Sequence, residues 1–275
     1  MTSQSRTVPV PAQAARVFLV TGATGAIGLA IAKQLAATPS AEVVLACRNE
    51  ARAIQAVQDI RECVGDARLR YELVDVARRS SIEALARRWT GPLHVLVNNA
   101  AATPRRREET PEGIELQFAT NVLGYLWMIQ AFADILRVSA PARVVNVASY
   151  WAGDLDLDDL QFARRRYNNH EAYRQSKQAN RMLTVALAVR LADQGITVNA
   201  CHPGNVSSRL SNNLGFRGHQ TPDEGARNPV WLAVGAVGGQ VTGRYFEDRR
   251  EVRCPFGQDS REVEALYRAC CRFSP

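Results

Sequence analysis

The sequence predicts a doubly wound α/β fold, a single parallel sheet of about seven strands with helices on both faces. Three observations carry that expectation. Short β-branched and aliphatic runs alternate with longer segments of helical spacing along most of the chain. Most of the runs are continuously apolar, as in strands covered on both sides, where one-sided strands alternate with polar residues. A glycine-rich turn joins the first run to the first helical segment.

The elements follow in order. Arg16–Thr21 reads as a buried first strand. Ile27, Ile31 and Leu35 lie at i, i+4 and i+8 on one helix face, and Pro39 stops that helix. Glu42–Ala46 is the second strand, and Asn49 is placed to cap a helix through Ile60. Arg70–Val76 is the third strand, and Ser80 and Ser81 open a helix through Trp89. Leu93–Val97 is the fourth, followed by a long helix from about Pro111 to Leu136. Ala142–Ala148 is the fifth, followed by a helix from Glu171 to Ala192. Ile196–Ala200 is the sixth and Gly243–Phe246 the seventh. Residues 1–15 read as a flexible lead-in.

Composition removes several function classes. With 46% hydrophobic and 22% charged residues among 275, the chain can bury a core, which excludes wholesale disorder. No run of about 20 apolar residues exists to span a membrane. The net charge of +7 invites a nucleic-acid reading. Lysine stands only at Lys33 and Lys177, however, and the clusters Arg105–Arg107 and Arg164–Arg166 have acids beside them. A solvated surface without nucleic acid accounts for this better. The six cysteines form no CxxC pair and no His/Cys metal spacing, so reduced thiols, a cytoplasmic chain and no metal are expected. The acidic run Asp154–Asp159 lacks calcium-loop spacing and reads as a solvated loop and helix start.

In a doubly wound sheet ligands bind at the carboxyl ends of the strands. After the first strand, Gly22, Thr24, Gly25, Ala26, Ile27 and Gly28 open a helix. Small residues there let the backbone approach a pyrophosphate, and the helix terminus supplies N–H donors. Residues 16–275 are then expected to form a single dinucleotide-binding domain, the catalytic one. About 20 residues on, an NAD site carries an acid for the ribose hydroxyl. Here stand Arg48 and Asn49, and an arginine suits a 2′-phosphate, so NADP(H) is expected. Asp75, followed by Val76, is either an adenine acceptor or a helix-capping carboxylate. Asn98 and Ala100 lie after the fourth strand, where small residues allow close cofactor contact and the asparagines otherwise hold loop backbone. Ser149 follows the fifth strand, and Tyr173 and Lys177 share one helix face at i and i+4. A lysine here, in a chain that otherwise uses arginine, suggests a site needing a compact ammonium. Tyr150 and Trp151 are candidate walls of an apolar substrate pocket.

This set resembles the short-chain dehydrogenase/reductase family. The family's TGxxx[A/G]xG pattern matches Thr21, Gly22, Ala26 and Gly28. Its NNA motif matches Asn98 to Ala100, and its Ser–Tyr–Lys set matches Ser149, Tyr173 and Lys177. Asn121 stands at its helix asparagine, and Pro203, Gly204 and Ser208 match the segment after the sixth strand. The resemblance covers about Arg16 to Asp248. Ala46–Asn49, Ser176–Asn180, His202–Gly204 and the wide gap from Ser149 to Tyr173 lean toward the retinol dehydrogenase, WW-domain oxidoreductase and protochlorophyllide reductase subgroup. His94, Ala101 and Ala148 depart from common family residues, and none of them removes a catalytic group.

The resemblance implies a Rossmann sheet and an NADP(H)-dependent enzyme that interconverts a carbonyl and an alcohol on a lipophilic small molecule. Tyr173 is its acid/base, Lys177 lowers the phenol's pKa and holds the ribose, and Ser149 bonds the substrate oxygen. Asn121 positions a water leading from Lys177 to solvent. Pro203, Gly204, Val206 and Ser208 are further cofactor contacts. Reduction of an activated C=C bond and a catalytically silent NADP(H)-binding sensor or scaffold stay open as alternatives. A homodimer or homotetramer is expected through the helices Pro111–Leu136 and Glu171–Ala192, with Leu123, Leu126, Trp127, Ile129 and Phe132 as its apolar surface.

Overall fold

The computed structural model describes residues 15–273; residues 1–14 of the expected lead-in lie outside that range. The strands are β1 Arg16–Thr21, β2 Ala41–Cys47, β3 Arg68–Leu73, β4 Val95–Asn98, β5 Ala142–Val147, β6 Ile196–Cys201, β7 Tyr245–Glu247 and β8 Arg250–Glu251. They form one eight-stranded sheet in the order β3-β2-β1-β4-β5-β6-β7-β8. β1 to β7 pair in parallel, and β8 runs antiparallel to β7. Asp248 and Arg249 make that last turn at φ 45° and 61°, the positive values that match a tight hairpin to strand twist. The strand order reverses between β1 and β4, so a crevice opens at their carboxyl ends.

The helices are α1 Ala26–Ala36, α2 Glu50–Val64, α3 Arg79–Arg88, α4 Gly124–Val138, α5 Asn169–Leu191, α6 Arg209–Asn213, α7 Pro222–Val234, α8 Ala236–Gln240 and α9 Ser260–Cys271. Both faces of the central strands are covered, which explains their apolar runs, while the edge strand β3 is partly exposed and carries Arg68, Arg70 and Glu72. Along β1, Val17 and Leu19 join the core formed with α3, α4, α5 and α9. Phe18 and Val20 join the opposite core with α1, α2 and α7. Successive side chains of a strand point to opposite faces, so a doubly covered strand must be apolar at every position.

Several expectations are corrected. The long fourth helix does not begin near Pro111: residues 111–113 turn, and Glu115 pairs across to Glu109 as an isolated bridge. The Glu115 carboxylate, 1% exposed, accepts the N–H groups of Gln117 at 2.8 Å and Phe118 at 2.7 Å. That caps the helix from inside the chain. Its opening turn, Phe118–Leu123, is π-helical and leads directly into α4. Ser80 and Ser81 do not cap α3; Arg78 stands at that position, and the Ser81 hydroxyl accepts the Asp75 N–H at 2.9 Å. The acidic run starts no helix. Asp159 is 4% exposed and accepts the N–H groups of Ala163 at 2.7 Å and Arg165 at 3.0 Å, with the Arg165 guanidinium beside it. Those bonds hold its carboxyl below the ordinary range against the opposing effect of burial.

The apolar surface offered for oligomerisation is also accounted for differently. Leu123, Leu126, Trp127, Ile129 and Phe132 are between 0% and 3% exposed within the chain itself. α9, with Val263, Leu266 and Cys270, completes the core on the α5 side. Glu264 of α9 meets Arg190 of α5 at 2.5 Å, and the Arg190 guanidinium lies 3.7 Å over the Tyr267 ring. Among the described residues no helix is long and apolar enough to cross a membrane.

Candidate active site

The crevice between β1 and β4 is built from close backbone approaches. Gly22 leaves β1 at φ 64°, and a Cβ there would lie 2.8 Å from the Ala100 Cα. A Cβ on Gly28 would lie 2.2 Å from the Gly22 carbonyl oxygen and 2.6 Å from the Asn99 amide. Thr21 ties the two loops: its hydroxyl accepts the N–H groups of Asn99 at 2.9 Å and Ala100 at 3.1 Å. Gly25 stands at the start of α1, where no side chain caps the helix and no acid sits in its first turn. The N–H groups of that turn, from Ala26, Ile27 and Gly28, therefore suit an anion.

Arg48 follows β2 and is exposed, two residues past Ala46, whose carbonyl accepts the Gly22 N–H at 2.9 Å. The Asn49 side chain accepts the Arg52 N–H at 2.9 Å and so caps α2. Arg52 itself donates to the Thr24 carbonyl at 2.8 Å. The sequence reading missed Arg52. Its signal was present, since the residue three positions after an N-cap lies on the first turn of the helix, which here faces the glycine loop. Asp75 accepts the Ala77 N–H at 3.1 Å, a turn-capping contact. Buried Val76 presents its carbonyl to Gly124, whose Cβ would come within 2.6 Å of that oxygen. Asn98 is 0% exposed, and its amide donates to Asn146 at 3.0 Å. Its side chain thus joins β4 to β5 and does not face the crevice.

Ser149, Tyr173 and Lys177 come together at the end of β5, at 5%, 7% and 2% exposure. Ser149 stands beside the Tyr173 phenol and acts to lower its pKa, and Ser149 Oγ accepts the Trp151 N–H at 3.1 Å. Lys177 Nζ donates to the Val147 carbonyl at 2.8 Å and lies 5.6 Å from the Tyr173 ring centroid. Burial pushes the phenol of Tyr173 up to about 12, with Ser149 opposing. Burial likewise pushes the Lys177 ammonium down to about 7. In the protein alone the phenol therefore sits above its ordinary value, against the lowering expected from the sequence.

Asn121 is 0% exposed, and its amide is occupied by protein. It accepts the Ala102 N–H at 2.8 Å and donates to the Ala102 carbonyl at 3.1 Å and to Ser176 Oγ at 3.2 Å. Ser176 in turn donates to the Tyr173 carbonyl at 2.8 Å. The side chain thus braces the loop after β4 and the turn of α5 bearing Tyr173, where the sequence reading had it orienting a water. After β6, Gly204 turns at φ 102° against Gln220, and buried Val206 bridges to Gln220. The Ser208 hydroxyl accepts the Ser211 N–H at 3.2 Å and caps α6, so Ser208 serves its own helix.

An aromatic wall stands beside Tyr173. The Trp151 ring centroid lies 5.9 Å from that of Tyr173, 5.5 Å from His170 and 5.4 Å from Phe216. Tyr150 packs edge-on to His202 at 4.6 Å and is 54% exposed. His170 and Phe216 come from distant segments, and no sequence pattern connected them to Trp151. No group of three or more metal-ligating side chains occurs among the described residues.

Residues 16–216 match the model of the short chain dehydrogenase family. The chain is 33% identical to retinol dehydrogenase 13 of Mus musculus over 94% of this chain and 83% of that one. Among solved structures, an uncharacterized protein from Mycobacterium paratuberculosis superposes with a TM-score of 0.81 at 26% identity, over 95% of this chain and 94% of the other. The NADPH-bound carbonyl reductase from chicken fatty liver superposes with a TM-score of 0.67 at 25% identity, covering 88% and 100%.

Proposed function

The chain belongs to the short-chain dehydrogenase family, in its retinol dehydrogenase-like subgroup, and from that membership we propose an NADP(H)-dependent oxidoreductase that interconverts a carbonyl and an alcohol on a lipophilic small molecule. The observation that carries the reading is the cluster of buried Ser149, Tyr173 and Lys177 at the end of β5, with Lys177 one turn along the helix from Tyr173. Residues 16–275 act as one catalytic domain around the single sheet. All six cysteines are free thiols, which supports a reducing, cytoplasmic setting.

The cradle fits a dinucleotide. Gly22 and Gly28 leave space that a Cβ would fill with backbone clashes, and the start of α1 is uncapped. The first-turn N–H groups of α1 would hold the pyrophosphate. Arg48 and Arg52 flank the loop and would hold a 2′-phosphate, in keeping with the NADPH-bound reductase of similar structure. The nicotinamide supplies the hydride when bound.

The chain's own groups do the rest. Ser149 donates to the substrate oxygen and holds it against Tyr173. The phenol, pushed to about 12 by burial, stays protonated at neutral pH. It is thus ready to donate to the alkoxide that forms on reduction. Lys177 carries its charge below about pH 7 and loses it above. Carbonyl reduction is therefore expected to slow as pH rises through 7, and alcohol oxidation, which needs the phenolate, to quicken with rising pH. Trp151 and Phe216 supply the apolar wall that favours a lipophilic substrate.

The test is NADPH oxidation over aldehydes, ketones, quinones and enones, run with the wild type and with Tyr173→Phe. General acid catalysis contributes about 10²–10⁴-fold, so the variant should lose at least that range on carbonyl substrates while still binding NADPH. Carbonyl turnover by Tyr173→Phe near the wild-type rate would refute the assignment.

A further inference from the structure

We propose that Arg181 is a positioning residue for Ser149: its guanidinium holds the Ser149 carbonyl and thereby fixes where the hydroxyl meets the substrate oxygen. The inference rests on the reading of Ser149 as a hydrogen-bond donor to substrate.

Arg181 is 5% exposed. Its nearest carboxylate oxygen, on Glu247, is 3.9 Å away, too far for a hydrogen bond. Its Nε has no hydrogen-bond partner. What it does contact is specific. Nη2 donates to the Ser149 carbonyl, and the guanidinium lies 3.6 Å over the Tyr245 ring and 5.5 Å from that of Phe256. Burying a cation without a close counter-charge opposes folding. Placing it one turn from Lys177 adds repulsion between like charges. An apolar side chain at this position would avoid both costs.

The geometry gives a reason for the arginine. Lys177 donates to the carbonyl of Val147 and Arg181 to that of Ser149. Two cations on successive turns of α5 therefore hold carbonyls two residues apart at the end of β5. Between them, the Ala148 N–H is tied to the Cys201 carbonyl at 2.8 Å. The sheet ladder itself stops at Val147 and Cys201, so Ser149 lies beyond regular strand pairing. Arg181 supplies the anchor that the ladder no longer provides. With its carbonyl held from α5 and its hydroxyl held by the Trp151 N–H, Ser149 faces Tyr173 in one orientation. The planar guanidinium fits between ring and carbonyl, which a flexible ammonium does not reproduce.

The test is a double-mutant cycle of Ser149→Ala and Arg181→Met, with the best carbonyl substrate from the NADPH screen. Arg181→Met should lower kcat by about tenfold to a hundredfold, the scale of a misplaced catalytic group, with KM for NADPH within about twofold of wild type. In the Ser149→Ala background the same substitution should change kcat by less than about twofold, because the hydroxyl it positions is gone. Arg181→Lys should recover part of the rate. Equal losses in both backgrounds would overturn the proposal, as would no loss in the single variant. Wild-type turnover by Ser149→Ala would overturn the functional reading and this inference together. If Arg181→Met loses NADPH binding or its cooperative melting transition, Arg181→Gln, which keeps a polar side chain but not the guanidinium, takes its place in the cycle, and additive loss there is equally decisive.

Discussion

Arg48 and Arg52 show how one residue type takes different parts a single helical turn apart. Arg48 extends from the end of β2 into solvent, while Arg52 is tied to the glycine loop through Thr24. A charge-assisted phosphate contact is worth about 1.5–3 kcal/mol. Arg48→Ala should therefore weaken NADPH binding by about tenfold to a hundredfold and leave NADH nearly unchanged, as read by fluorescence titration. Equal weakening of both cofactors would remove Arg48 from the phosphate site. His202 makes a second residue-scale case. Burial, with Arg181 and Lys177 nearby, lowers its pKa from 6.5 to about 4. Below pH 6.5 the unfolded chain takes up a proton that the folded chain refuses. Stability should then fall as pH drops from 6.5 toward 4, by at most about 1.4 kcal/mol per unit from this group. Urea titrations at pH 7 and pH 5 measure the slope. His202→Gln should flatten it, and an unchanged slope would assign the acid sensitivity to other groups.

At the scale of elements, α1 and its glycine turn were legible because their requirement is local. Gly28→Ala forces a Cβ to 2.2 Å from a backbone oxygen, so the turn must open. Loss of cofactor binding should exceed loss of melting temperature, and a variant with normal NADPH affinity would show that the turn can adjust. The start of α4 was not legible. Helical spacing continues through residues 111–117, and the cap comes from the buried Glu115 carboxylate, whose own N–H is held by the distant Gln161 side chain. The π-helical turn around Asn121 likewise depends on partners in the β4 loop and α5. α9 was unread because its apolar stripe has meaning only against α5. Leu266 is 0% exposed in that contact, and Leu266→Ala should cost about 2–5 kcal/mol, measurable by denaturant unfolding.

At the scale of the molecule, the helix faces that suggested an oligomer are filled from within the chain. α9 lies against α5, and what remains exposed near the helix ends is single side chains, Val138 at 73% and Val189 at 75%. Light scattering at micromolar concentration should give the mass of one chain. A dimer mass would mean that α9 yields to a second copy. The sequence by itself determined a parallel sheet and seven of its strands in chain order, while the antiparallel β8 and the order across the sheet came only with the fold. Buried parallel strands must be apolar at each position, and a pyrophosphate cradle must be small and sit between strand and helix; both demands are written in consecutive residues. Ser149, Tyr173 and Lys177 were likewise visible as residue types at the expected element ends. Only the tertiary structure decided how those groups are held and charged. Burial raises the phenol and lowers the ammonium, and Asn121 is committed to bracing loops. Phe216 and His170 reach Trp151, and Arg181 reaches the Ser149 carbonyl. These are contacts between segments far apart in sequence. Their energies depend on desolvation and distance, quantities that arise only when the chain has folded around them.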